Sequence, residues 1–106
     1  MKNIFGFILF ALSIPAFSSG WTEVSTVHRL VVTGNGTINV RLSPELSGCT
    51  SVSGYGTKYA SLYPEHPGFN AIHSNLLMAY ASGKEVRIFL SDSTCKIGET
   101  VLGGSF

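Results

Sequence analysis

Ile38, Val40 and Leu42 alternate with Asn39 and Arg41, the period-two pattern of a strand with one wet face. Ahead of them, "VSTVHRLVV" is rich in β-branched residues and places apolar side chains on both faces. Val24, Leu30 and Val32 fall on one face, and Val27 and Val31 on the other. That strand is expected to be central, or to have its outer face covered. The two runs are joined by "TGNGT". Asn and Gly accept positive φ, so a hairpin is predicted there. Asn35-Gly36-Thr37 also matches the glycosylation sequon, but the turn already accounts for these residues.

Further along, Asn70 can cap a helix and Gly83 can stop it in the left-handed conformation. Between them Ile72, Leu76, Ala79 and Tyr80 share one face at helical spacing, while Leu77, Met78 and Ala81 lie on the other side. Two causes fit a helix that is apolar on more than one stripe: burial on both sides within a small domain, or a subunit contact. "EVRIFL" follows as a strand, with Val86, Ile88 and Leu90 opposed to Glu85, Arg87 and Phe89. "CTSVS" predicts a short, weak strand, and "ETVLGG" a last one.

Between these elements lies "GYGTKYASLYPEHPGFN", Gly54 to Asn70, in which no period is sustained. A connection this long in a small domain is commonly functional or disordered. Its three tyrosines argue against disorder.

The N-terminus changes the picture of the compartment. Lys2 precedes an apolar run from Ile4 to Ile14, with small residues after Pro15. This predicts a signal peptide of residues 1–18, or 1–20, cleaved before Ser19 or Trp21. The run is short of the roughly 20 residues that span a bilayer. Residues 19–106 then form one domain in which basic and acidic side chains balance, Lys2 having left with the signal. Near-neutrality speaks against a broad electrostatic footprint for nucleic acid. Secretion, or export to a periplasm, makes a disulfide between Cys49 and Cys95 the expected state of the only two cysteines. Closing that loop is worth roughly 4 kcal/mol in the chain-entropy model.

Chemistry is less legible. There is no metal-binding CxxC, HxxxH or HExxH spacing, no GxSxG and no phosphate-cradling glycine loop, so no catalytic residue, metal or cofactor is assigned. His28 sits in a predicted strand and His73 beside the helix's apolar stripe. His66, next to Glu65 in the long loop, holds the most site-like position. A binding module asks for less: sugars are held by aromatic faces and by polar groups around their hydroxyls. Tyr55, Lys58, Tyr59, Tyr63, Glu65 and His66 supply those types, with Trp21 as a further aromatic.

The order strand, hairpin, strand, cysteine-bearing strand, helix, strand, strand resembles a small five-stranded barrel with one helix, the oligonucleotide/oligosaccharide-binding architecture. Within "ASLYPEHPGFNAIHSNLLMAYASGKEVRIFL", the part "AYASGKEVRIFL" resembles the helix-to-strand region of the B subunits of subtilase cytotoxins. It shares a tyrosine-bearing helix end, a small-residue and glycine stop, and a Val-Arg-Ile strand. A Trp near the start and two half-cystines also resemble small exported bacterial proteins. The toxin resemblance covers about a third of the domain, and its motif is scaffold. It implies a pentameric glycan binder that delivers a separate enzymatic subunit. The chain is short for that family, and no glycan-contacting residue is carried over.

The expected molecule is therefore mainly β with one α-helix: a five- to six-stranded antiparallel OB-like barrel with one disulfide. It is expected to be a non-enzymatic module that binds a cell-surface glycan or a protein, with a homo-oligomer as one form. The alternative is an envelope-associated assembly protein. No nucleic acid and no membrane span are expected.

Overall fold

A computed structural model of the chain describes residues 20–50 and 54–104. The predicted signal peptide, but for Gly20 in its longer form, and residues 51–53 of the predicted strand "CTSVS" lie outside the described residues. Cys49 and Thr50 belong to no strand.

Two three-stranded antiparallel sheets make up the β-structure. The first has the order β1–β5–β6, formed by Gly20–Trp21, Val86–Leu90 and Ile97–Leu102. The second has the order β2–β3–β4, formed by Thr26–Val32, Ile38–Ser43 and Tyr59–Leu62. The sheets touch at two single bridges. Ser25 pairs with Val86 antiparallel, and Ser61 pairs with Lys96 parallel. No continuous ladder runs through either bridge, so the described residues form two sheets rather than a closed barrel.

The hairpin is where the pattern placed it. Within its turn Gly36 N–H donates to the Thr33 carbonyl at 3.0 Å, and Thr33 N–H donates to the Thr37 carbonyl at 2.9 Å. Asn35 Oδ1 accepts from both the Thr33 hydroxyl and the Thr37 N–H. Gly36 has φ +91°, which strains any L side chain, and a Cβ there would touch Pro64 at 3.4 Å.

The expected faces of β2 need correction. Val27 pairs with Leu42 but Arg29 pairs with Arg41, so His28 is an extra residue that has no partner in the ladder. Such a bulge shifts the alternation by one. Val27 and Leu30, three apart, both reach the core side, where Leu30 faces Val40. Val27, Leu30 and Val32 thus share the core side, Val31 lies opposite Asn39 on the other face, and β2 is an edge strand of its sheet rather than a central one.

The long segment 54–70 also differs from expectation, because β4 runs through its middle. Ala60 and Leu62 are buried beside Val40 and Ile38, while Tyr59 and Ser61 turn to the other face. The alternation is real but is carried by Ala and Ser, too small to mark a strand in the sequence.

The helix α1, Phe69–Ser82, buries Ile72, Leu76 and Ala79 against the sheets. Asn75 Nδ2 donates to the Thr100 hydroxyl of β6 at 3.0 Å and fixes its rotation. The N-cap is Gly68, not Asn70. Gly83 ends the helix in the left-handed conformation (φ 72°), its N–H donating to the Ala79 carbonyl, as expected. Tyr80 was expected on the buried stripe but is exposed. At 100° per residue it stands about 80° around the helix from Ile72. Leu77, Met78 and Tyr80 are 48%, 55% and 55% exposed, so internal burial does not account for the second apolar face.

Val86, Ile88 and Leu90 point into the core, as the alternation of "EVRIFL" requires. The expected disulfide is present. Cys49 and Cys95 are bonded and buried, tying the segment between β3 and β4 to the segment before β6. Thr50 N–H adds a hydrogen bond to the Ser93 carbonyl at 3.1 Å. No helix among the described residues is long and apolar enough to cross a membrane.

Candidate functional site

β4 divides the residues singled out in the sequence into two groups. Tyr55, Lys58 and Tyr59 stand at its start, and Tyr63, Glu65 and His66 just past its end. Tyr59 and Tyr63 are separated by roughly 13 Å of extended chain. They do not form one site.

The first group is an ion-pair cluster. Glu45 receives hydrogen bonds from Arg41 and Lys58, the latter at 3.2 Å. The Arg41 guanidinium, and after it the Lys58 ammonium, hold the Glu45 carboxyl below the usual carboxylate range. The Tyr55 and Tyr59 rings meet at 5.8 Å in a tilted pair. Trp21 is in neither group. It packs edge-on against Phe89 at 5.4 Å with the Arg87 guanidinium 5.9 Å from its centre, a structural role in β1 and β5. His28 is exposed at the β2 bulge, and His73 rests near the Phe69 ring at 5.9 Å.

The second group is shaped by a tight turn. His66 N–H donates to the Tyr63 carbonyl at 3.1 Å across Pro64 and Glu65. Pro64 stands at the second turn position, where its fixed φ is favoured. The turn is then anchored by the His66 ring. Gly68 N–H donates to Nδ1 at 2.8 Å, so Nδ1 is the acceptor, and Nε2–H therefore donates to the Gly98 carbonyl at 3.0 Å. Gly98 is the extra residue of a second bulge, between the pairs Phe89–Glu99 and Leu90–Ile97. Both nitrogens of His66 are thus committed to backbone, and in this geometry the ring offers neither a base nor a metal ligand. Among the described residues no group of three or more His, Cys, Asp or Glu is placed to hold a metal ion.

Two concavities meet at this turn. One, of about 430 Å³, lies between Thr33, Asn35 and Thr37 of the hairpin turn and Tyr63, Pro64 and Glu65. The other, of about 310 Å³, is lined by Tyr63, Glu65, His66, Pro67 and Lys96. Tyr63 and Glu65 line both. The Tyr63 hydroxyl is buried and has no hydrogen-bond partner among the described residues. The two linings combine the Tyr63 ring, the His66 imidazole, two prolines, hydroxyls, an amide, the Glu65 carboxylate and the Lys96 ammonium, a set able to bind a polyol with an apolar face.

Sequence reasoning missed the hairpin contribution and Lys96. Asn35 and Thr37 were visible only as turn residues, and nothing local announces that the turn folds onto Pro64. Lys96 arrives through the parallel bridge to Ser61, a contact without a sequence signature. Compared with protein-family models, with curated proteins and with solved structures, the chain finds no match in any of the three.

Proposed function

We propose that this chain is an exported, non-enzymatic binding module whose ligand is a glycan held at Tyr63. The observation that carries this reading is the pair of concavities sharing Tyr63 and Glu65 on a turn fastened by His66. A fastened turn needs little ordering on binding, which favours affinity from a modest surface. The buried disulfide supports an oxidising compartment, secreted or periplasmic. The strand order, with the two bridges joining the sheets, supports an OB-like barrel as the parent architecture. The resemblance to subtilase cytotoxin B subunits points to the same ligand class.

The test is a glycan array with the wild type and Tyr63→Ala, each checked for thermal stability. Loss of signal in a stably folded variant supports the site. An unchanged signal removes it.

One observation favours a second reading, assembly with like or unlike partners. The helix Phe69–Ser82 contains no Asp, Glu, Lys or Arg, yet it exposes Leu77, Met78 and Tyr80. An uncharged, solvent-facing helix stripe suits a protein contact. Sedimentation velocity at tens of micromolar decides it: a strict monomer leaves no role for self-assembly.

A further inference from the structure

We infer that the ligand of this site is an uncharged di- or oligosaccharide lying across Tyr63, an inference that rests on the glycan-binding reading above. The charges lining the two concavities are few. Glu65 lines both, and Lys96 lines the smaller one only. The remaining lining of the larger concavity is hydroxyl, amide, aromatic and proline, with no cation. A sialic acid carboxylate or a sulfate seated there would face the exposed Glu65 carboxylate with no cation in the same lining to offset it. Like charges at contact range repel, though water at this open site screens them. In the smaller concavity Lys96 is balanced by the same Glu65, so that side gains no net attraction for an anion either.

A neutral sugar meets no such penalty and uses the same groups. A carboxylate can accept from two neighbouring hydroxyls at once. Asn35 commits its Oδ1 to the Thr33 and Thr37 bonds, which leaves its Nδ2 outside that network and available as a donor. Tyr63, with Pro64 on one side and Pro67 on the other, provides apolar surface in both directions.

The span follows from the geometry. Each concavity has the size of a small ligand site, and the two share a wall made by Tyr63 and Glu65. A ligand that fills both must cross Tyr63, which a single sugar ring is too short to do. Two linked rings fit, one against the hairpin turn and one towards Lys96. The proline-set turn and the His66 anchor keep the wall between them in place.

The experiment compares neutral disaccharides and oligosaccharides with their component monosaccharides, and with the sialylated and sulfated forms of the same chains. Each is titrated into the oxidised protein, the Glu65→Gln variant and the Lys96→Ala variant. The expected result is that neutral disaccharides bind about tenfold above monosaccharides and about two- to fivefold above the acidic forms, and that Glu65→Gln closes most of the gap to the acidic forms. Lys96→Ala is expected to weaken disaccharides more than monosaccharides. If acidic glycans bind as well as neutral ones and lose binding in Tyr63→Ala, the glycan site stands and the charge inference falls. If monosaccharides match disaccharides, the two-ring span falls. If no glycan binds, the functional reading itself is wrong and this inference goes with it.

Discussion

His66 Nε2 lies 3.0 Å from the carbonyl oxygen of Gly98, the bulged residue of the strand Ile97–Leu102. A bulge leaves backbone groups outside the ladder, and an imidazole from a distant turn supplies the donor. The same ring takes the Gly68 N–H, so one side chain satisfies two backbone groups and sets the position of Tyr63. His66→Ala is expected to cost about 1–3 kcal/mol, the penalty for partly buried groups left unpaired. It should also weaken glycan binding, since His66 both fastens the turn that carries Tyr63 and lines the smaller concavity. Urea denaturation reads the first effect and titration the second; an unchanged midpoint would remove the anchoring role.

Ser61 Oγ donates to Asn39 Oδ1 at 2.7 Å, and both side chains are fully buried on the face of their sheet opposite Ile38 and Leu62. Asn39 Nδ2 has no partner among the described residues, so the pair is only partly satisfied. Ser61→Ala should therefore destabilise by about 1–3 kcal/mol, whereas adding Asn39→Leu to it should recover most of that loss. A double-mutant cycle by chemical denaturation measures both. Additive losses would show that the pair is not a unit.

The Tyr63 hydroxyl is buried without a partner among the described residues. Tyr63→Phe removes that oxygen and keeps the ring, so the free protein should be as stable as the wild type or more so, by up to about 1 kcal/mol. Binding should survive in this variant and fail in Tyr63→Ala, because the proposed contribution is the ring face. A large loss of binding in Tyr63→Phe would assign the hydroxyl to the ligand instead.

Glu45 is held below its usual carboxylate range by Arg41 first and Lys58 second. A carboxyl with a depressed folded-state value stabilises the fold above its unfolded value, and that contribution disappears as pH falls through the depressed one. Thermal melts of the wild type and Glu45→Gln should thus differ near neutrality and converge in the acid range. The difference should be small and should shrink in high salt, because the cluster is exposed. A gap that widens on acidification would contradict the assignment.

How much of this was legible depended on whether a contact is local. The hairpin, the stop at Gly83, the strand Val86–Leu90 and the disulfide all follow from residues within a few positions or from cysteine arithmetic. The bulge at His28 did not show, because one extra residue moves Val27 onto the same face as Leu30 and Val32 against the alternation. The strand Tyr59–Leu62 hid behind Ala60 and Ser61. The tyrosines four apart read as one cluster, but in an extended strand that spacing puts Tyr59 and Tyr63 on one face at opposite ends. The candidate site needed the turn at 33–37 to fold onto Pro64 and the segment at Lys96 to come alongside, which only tertiary structure determines.

The pairing of Trp21 with Phe89 makes the chain's single tryptophan a spectroscopic reporter. Its indole enters a ring contact with Phe89 and sits under Arg87 only when Gly20–Trp21 docks on the strand Val86–Leu90. Emission from that indole therefore follows the docking of Gly20–Trp21 on Val86–Leu90 rather than the hairpin between them. Stopped-flow fluorescence beside far-ultraviolet circular dichroism would time this docking against the formation of the local strands without any introduced label.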